Sequence, residues 1–319
     1  MKDSFARKID YMRVSITDRC NLRCVYCMPE DVDSIGHEKV LRFEELLRLC
    51  SIMAELGVKY IRITGGEPLA RKGWLDFVRE LKAISGVEAV TLTTNAVLLE
   101  PYLEELAKIG VNSLNISLDT LCRETYRKLT GMDAFDAVWS GISKAVQMGF
   151  RIKLNCVPIK GVNDDQILQM AALPQTMPLD MRFIELMPTG AGAGLEGIPT
   201  DDIVELVTQK YPELVTDGRI HGFGPAKYLK SKDMKGGLGF ISALSHAFCD
   251  KCNRIRVSSD GKLILCLHHT KGLDLRSLLR SGATDGEIKE AIVESVKNKP
   301  ERHHLDTEVN LEHMSKIGG

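Results

Sequence analysis

The sequence predicts an α/β protein: an incomplete (β/α)6 TIM-type barrel followed by a C-terminal extension. Three observations predict it. Through the first two thirds of the chain, apolar runs of strand length alternate with segments of helical apolar spacing, which implies a parallel sheet with right-handed crossovers. Most residues able to do chemistry fall at or just after strand C-termini, the face where barrels place their sites. These are the cysteine loop from Cys20, then Gly65-Gly66-Glu67, Thr93-Thr94-Asn95, Ser117 and Met187. After Met187 the alternation gives way to a glycine-rich stretch, 189–199, which divides a barrel over 1–188 from an extension over 189–319.

The elements follow in order. Residues 12–17 read as the first strand. Residues 43–56 carry Phe43, Leu46, Leu47, Cys50, Met53 and Ala54 at helical spacing and stop at Gly57. Strand 60–64, helix 74–84 and strand 89–94 come next. Helix 101–109 has Pro101 at its start and Gly110 at its end. Strand 114–118, helix 135–148, strand 151–157, helix 165–173 and strand 181–186 complete six units. In the extension, 203–210 reads as a short helix. Residues 254–258 and 263–265 read as strands turning at Asp260-Gly261, and 274–280 and 285–298 as helices.

Composition narrows the function. A chain of 319 residues with 44% hydrophobic content builds a large core plus an extension. A formal net charge of -1 gives no support for nucleic acid or a membrane surface as partner, so any anion site must come from local basic residues. Residues 1–10 lack the apolar stretch of a secretory signal, and no apolar run reaches membrane-spanning length. A cytoplasmic location is expected.

Nine cysteines in such a chain favour metal ligation over disulfides. Cys20, Cys24 and Cys27 form C-x3-C-x2-C, and Cys249, Cys252 and Cys266 form C-x2-C-x13-C. Three thiolates are one short of the usual zinc or iron–sulfur shell. A cubane cluster held by three leaves one iron open to a small molecule. The other reading is zinc, completed by His37 at the first triad and by His246 or His268 at the second. Cys50, Cys122 and Cys156 stand alone and read as buried small hydrophobes.

Arg254 and Arg256 alternate on a strand, point the same way, and can act as a pair on an anion. Arg13, Arg62 and Lys153 lie on the first, second and fifth strands. Taken singly, each reads as a barrel-wall salt-bridge partner. Converging inside the barrel, they would need an anion to offset their burial. The final Gly318-Gly319 reads either as a frayed end or as a tail able to enter a crowded site without collision.

With Cys20, Cys24 and Cys27, Tyr26 just before the third cysteine, and Gly65-Gly66-Glu67-Pro68 about forty residues on, the chain resembles the radical S-adenosylmethionine (SAM) superfamily. The resemblance implies a [4Fe-4S] cluster on the first triad, with SAM bound to its open iron. It implies SAM contacts from Tyr26, Gly66, Glu67, Ser117 and Met187.

The runs 17–21, 183–188 and 248–267 and the terminal glycines resemble one family within that superfamily, the GTP 3′,8-cyclases of molybdenum cofactor biosynthesis. That resemblance implies a second [4Fe-4S] cluster on Cys249, Cys252 and Cys266, whose open iron binds guanine. It implies GTP contacts from Arg13, Arg62, Thr93, Lys153, Arg254, Ile255 and Arg256, and catalytic roles for Arg254, Arg256, Gly318 and Gly319. The implied partners are an electron donor, cyclic pyranopterin monophosphate synthase downstream, and a second copy of the chain as a homodimer. Two other readings remain at this point. One is a radical SAM enzyme that modifies peptides with an auxiliary cluster, against which the mere three cysteines after Met187 count. The other is a non-enzymatic protein with two zinc sites.

Overall fold

Eight parallel strands, each apolar on one face and polar on the other, frame the computed structural model, which describes residues 1–28, 34–267 and 272–303. In chain order the first part runs β1 (Tyr11–Ser15), α1 (Phe43–Glu55), β2 (Tyr60–Thr64), α2 (Trp74–Ala83), β3 (Ala89–Thr94), α3 (Leu103–Ile109) and β4 (Ser113–Ser117). It continues through α4 (Arg123–Thr130), α5 (Phe135–Gln147), β5 (Ile152–Cys156), α6 (Ile167–Thr176) and β6 (Leu179–Ile184). The second part adds α7 (Thr200–Lys210), β7 (Val215–Thr216), β8 (Lys227–Lys230), β9 (Leu238–Ile241) and β10 (Arg254–Val257). It ends with β11 (Lys262–Ile264), β12 (Leu273–Asp274), α8 (Leu275–Arg280) and α9 (Asp285–Lys297). Among the described residues no helix is long and apolar enough to cross a membrane.

The strand order is β12-β11-β10-β1-β2-β3-β4-β5-β6-β9-β8-β7. The sheet therefore does not stop where the strand–helix alternation stops. The extension pairs β10 in parallel with β1 at one edge and β9 in parallel with β6 at the other. Antiparallel strands follow outward on each flank. The link between β9 and β10, which carries Cys249 and Cys252, joins the C-terminal end of one flank to the N-terminal end of the other.

The two faces of the frame differ in chemistry. Met12 and Val14, Ile61 and Ile63, Val90 and Leu92, Leu114 and Ile116, Ile152 and Leu154, and Met181 and Phe183 all enter the apolar core under the helices, as do Leu238 and Phe240, and Ile255 and Val257. The residues between them are mostly polar: Arg13, Arg62, Thr91, Thr93, Asn115, Lys153, Asn155, Arg182, Arg254 and Arg256. Side chains alternate with period two, so these polar residues share the opposite face, the barrel lumen. An ordinary barrel fills its lumen with branched apolar side chains. This one keeps a polar lumen and leaves the helix-facing core to hold the fold.

Three features differ from expectation. Helix α4 was not expected: Tyr126 and Leu129 are its buried anchors, too few to give a visible period. Strands β7 to β9 were not expected either, and β9 is the informative miss. Its Gly236-Gly237-Leu238-Gly239 approach carries little strand signal because glycine weakens strands. A Cβ on Gly236 would sit 1.7 Å from Leu179 O, and one on Gly239 would lie 2.8 Å from Arg182 Cγ and from Tyr228 Cε1. Close pairing with β6 demands these glycines. Third, Cys50 and Cys156 are buried as expected, but Cys122 is only partly buried. It occupies the N-cap position of α4 without a side-chain capping bond.

Candidate active site

The loop after β1 carries the first triad, and its position is fixed by backbone pairing with the glycine loop after β2. Ile16 N donates to Thr64 O (3.0 Å), Gly66 N to Thr17 O (2.7 Å) and Glu67 N to Arg19 O (2.8 Å). A Cβ on Gly66 would lie 2.3 Å from Arg19 O, so the approach is open only to glycine. Leu22 N points at Cys20 Sγ (3.4 Å), as does Asn95 Nδ2 from the end of β3 (3.7 Å). Burial pushes the Cys20 thiol up, and burial, then Cys27, pushes Cys24 well up. As free thiols they keep their protons, and metal binding would release them.

Glu67 is 1% exposed. Its Oε1 accepts from Thr94 Oγ1 (2.8 Å) and Leu69 N (3.0 Å), and its Oε2 accepts from Asn95 N (2.7 Å). The carboxylate thus ties the ends of β2 and β3 together and leaves acceptor capacity on Oε2 for an ammonium. Burial raises it to about 7 against those three donors. Tyr26 donates its hydroxyl to Asp119 Oδ2 (2.8 Å), and Asp119 Oδ1 accepts from Val157 N (2.8 Å). Burial raises Asp119 to about 6. Both acids sit above their unfolded values, so between about pH 4 and 7 the folded chain holds protons that the unfolded chain has lost. Stability is highest on the acid side and falls as pH rises through both values. The melting temperature of the metal-free chain is expected to fall from pH 5 to pH 7 in calorimetry, below the range in which Lys153, lowered to about 7, acts in the opposite sense. A rise over that window would contradict the burial of these carboxyls.

The second triad sits at the other end of the lumen. Tyr11, the first residue of β1, is in register with Arg254, the first of β10, and Cys252 lies two residues before it. The first triad follows the far end of β1. Five residues of strand lie between, roughly 16 Å at about 3.3 Å per residue. All six cysteines nevertheless line one cavity, together with Arg13, Tyr26, Gly66, Glu67, Thr93, Ser117, Met187, Arg254 and Arg256. Glu185, 4% exposed, anchors the approach to the second triad, accepting from Leu244 N (2.7 Å), Ser245 N (3.1 Å) and Ser245 Oγ. Arg254 stacks its guanidinium over Phe248 at 4.5 Å. Burial pushes Cys252 up, but Arg254 and Lys299 outweigh it and the thiol falls below its usual value.

Between the triads lies a layer of cations. Arg13 is in register with Arg62 on one side and Arg256 on the other. Arg13 Nε and Arg62 Nε are shielded from solvent and find no hydrogen-bond partner among the described residues, and neither do Thr91 Oγ1 and Thr93 Oγ1. Burial, then Arg256 and Arg62, holds Arg13 well below its ordinary value. Burial, then Arg254, lowers Arg256 to about 10, and burial, then Arg182 and Arg62, lowers Lys153 to about 7. Buried cations gathered in this number, with the Nε atoms of Arg13 and Arg62 unpaired among the described residues, fit a polyanion. Arg182 differs, because Asn155 Oδ1 and Asn115 Oδ1 accept from it at 2.8 Å each.

Not every expected contact reaches this cavity. Arg62 and Lys153 line a second one at the N-terminal ends of β2 to β5, with Gly222 and Phe223. Phe223 stacks on Tyr60 (3.6 Å between centroids). The Ile255 side chain lies in the helix-facing core, so only its backbone is on the lumen side. Gly318, Gly319 and His268 lie outside the described residues. His246 turns to Asp201 (2.9 Å), and among the described residues no three His, Cys, Asp or Glu side chains converge as a single ion requires. A cube, with its ligands at separate corners, asks for wider spacing. Asp119, Glu185, Arg182 and Lys299 went unread in the sequence. For Arg182 the missed signal was a polar residue at period two in an apolar strand. The others give no local signal.

This fold and this cysteine loop define a class. Residues 14–173 match the family described as the radical SAM superfamily, and residues 179–305 match Molybdenum Cofactor Synthesis C. The Streptococcus suis SuiB structure bound to precursor peptide SuiA covers 97% of this chain and 75% of its own at a TM-score of 0.66. At 16% identity that likeness is one of fold. The chain is similar to the GTP 3′,8-cyclases of Heliobacterium modesticaldum (44% identical), Pelotomaculum thermopropionicum (42%) and Clostridium perfringens (40%), each over 100% of both chains. The chain belongs to the radical SAM superfamily and, within it, to the GTP 3′,8-cyclase family.

Proposed function

We infer that this chain converts GTP to (8S)-3′,8-cyclo-7,8-dihydroguanosine 5′-triphosphate, the first step of molybdenum cofactor biosynthesis. The observation that carries the reading is one cavity lined by both cysteine triads and by the buried Arg13, whose Nε finds no hydrogen-bond partner among the described residues. When bound, the cluster on Cys20, Cys24 and Cys27 together with SAM supplies a 5′-deoxyadenosyl radical able to take hydrogen from ribose C3′.

The protein's own part is to bind, orient and shield. Glu67 Oε2 receives the methionyl ammonium, Tyr26 is held by Asp119 against the adenine side, and Ser117 and Met187 close the SAM pocket. Cys249, Cys252 and Cys266 would hold a second [4Fe-4S] cluster, and three protein ligands would leave it a free position for guanine. Arg13, Thr93, Arg254 and Arg256 contact the nucleotide from the first cavity, and Arg62 and Lys153, which line the second, complete the set of GTP contacts. Gly318 and Gly319 act as a tail without side chains that enters the cavity. An electron donor, cyclic pyranopterin monophosphate synthase as the next enzyme, a homodimer and a cytoplasmic setting complete the proposal. The relatives at 40–44% identity favour a nucleotide over the peptide substrate of the alternative reading.

Anaerobic incubation of iron-loaded protein with SAM, dithionite and each nucleoside triphosphate in turn, followed by mass analysis, tests this. About eight irons per chain and a cyclised product from GTP alone are expected. Product from ATP, or SAM cleavage indifferent to GTP, would count against it.

A further inference from the structure

Lys299 lies two residues past α9 and is 3% exposed. Its Nζ donates to Arg254 O (3.0 Å) and to Leu265 O. Arg254 is two residues after Cys252, and Leu265 immediately precedes Cys266. A second buried cation, Arg7, treats the remaining cysteine in the same way. Its Nη1 donates to Cys249 O (2.9 Å) and Glu301 O (2.8 Å), its Nη2 to Pro300 O (2.7 Å), and its Nε to Asp3 Oδ2 (2.6 Å). Every backbone segment bearing a cysteine of the second triad is thus held by one of two buried cations, and both cations meet at residues 299–301.

A buried ammonium is costly unless hydrogen-bonded or balanced by opposite charge. Burial lowers the Lys299 ammonium from its ordinary value; against that, two carbonyls solvate it and the charges of Cys252 and Cys266 favour its protonated form. The first triad has another setting. Carboxylates stand near it, Glu67 toward Cys20 and Asp119 toward Cys24, with Arg23 as the nearby cation. Net charge and hydrogen bonding around a cluster set its potential. A cation beside thiolates stabilises the form with the extra electron.

We propose that Lys299 and Arg7 form a cationic clasp that fixes the geometry of the Cys249, Cys252 and Cys266 cluster and raises its reduction potential. The proposal rests on the reading that these cysteines hold a cluster. Lys299 is a positioning residue: it acts through the cysteine backbone and through charge, and leaves the open iron free for substrate.

The test uses the full chain with Cys20, Cys24 and Cys27 replaced by alanine, so that only the second cluster remains. Redox titration followed by electron paramagnetic resonance reads its midpoint. Lys299→Met is expected to retain about four irons and to shift the midpoint to more negative potential. Lys299→Arg, which keeps the charge, is expected to stay near the parent value. An unmoved midpoint in Lys299→Met with its iron intact overturns the proposal. If that variant fails to fold, Lys299→Gln keeps N–H donors without the charge, and an unmoved midpoint there overturns it equally. A parent chain that takes up no iron would instead sink the cluster reading itself.

Discussion

Replacing Arg13 with methionine is expected to raise the melting temperature of the substrate-free chain while lowering kcat/KM for GTP by about 10²-fold or more. The two effects have opposite signs because they come from the same charge. In the free protein, the Arg13 Nε is shielded and finds no partner among the described residues, and Arg62 and Arg256 flank it in register. A buried polar group without a partner costs about 1–3 kcal/mol, and like charges add to that. Methionine removes both penalties at similar volume. With a triphosphate in place the same guanidinium becomes half of a buried charge pair, whose truncation costs about 2–5 kcal/mol. Calorimetry on the substrate-free variant and steady-state kinetics with GTP read the two effects. A variant that loses stability yet keeps its turnover would show that Arg13 is a wall residue.

Gly66→Ala is expected to abolish SAM cleavage through the metal rather than through lost contacts to SAM. The new Cβ would stand 2.3 Å from Arg19 O, 2.6 Å from Arg19 C and 2.7 Å from Asp18 O. All are backbone atoms in the residues just before Cys20, so no rotamer relieves the clash. The cysteine loop must move, and the bonds from Gly66 N to Thr17 O and from Glu67 N to Arg19 O break with it. Iron content is expected to fall from about eight to about four per chain, with the second cluster retained. Normal iron with weaker SAM binding would instead make Gly66 a ligand contact alone.

Much of this was legible in local sequence. Periodicity placed the strand–helix units because each strand buries an apolar row under helices. The grouping of Cys20, Cys24 and Cys27 was legible because their spacing is a property of one loop, whereas Cys266 is parted from Cys249 and Cys252 by β10 and β11. Arg254 and Arg256 share a face by the arithmetic of a pleated strand, and they do line the lumen. What stayed hidden depends on partners far away in the chain. β9 is a strand only because β6 needs its glycines to approach. Asp119 matters through Tyr26, and Lys299 through the carbonyls of Arg254 and Leu265. The separation of Arg62 and Lys153 from Arg13 by cavity was equally unreadable. Sequence places all three on barrel strands, and the structure puts Arg62 and Lys153 in a second cavity beside Gly222 and Phe223.

The placement of β10 beside β1 sets an order of events during synthesis. The first strand to leave the ribosome waits for a neighbour encoded about 240 residues later, roughly 10–50 s at 5–20 residues per second. Until then its flank is raw, and early compact states must tolerate an open seam. A nascent chain that has not yet made β10 therefore presents the outer edge of β1 to any other strand nearby.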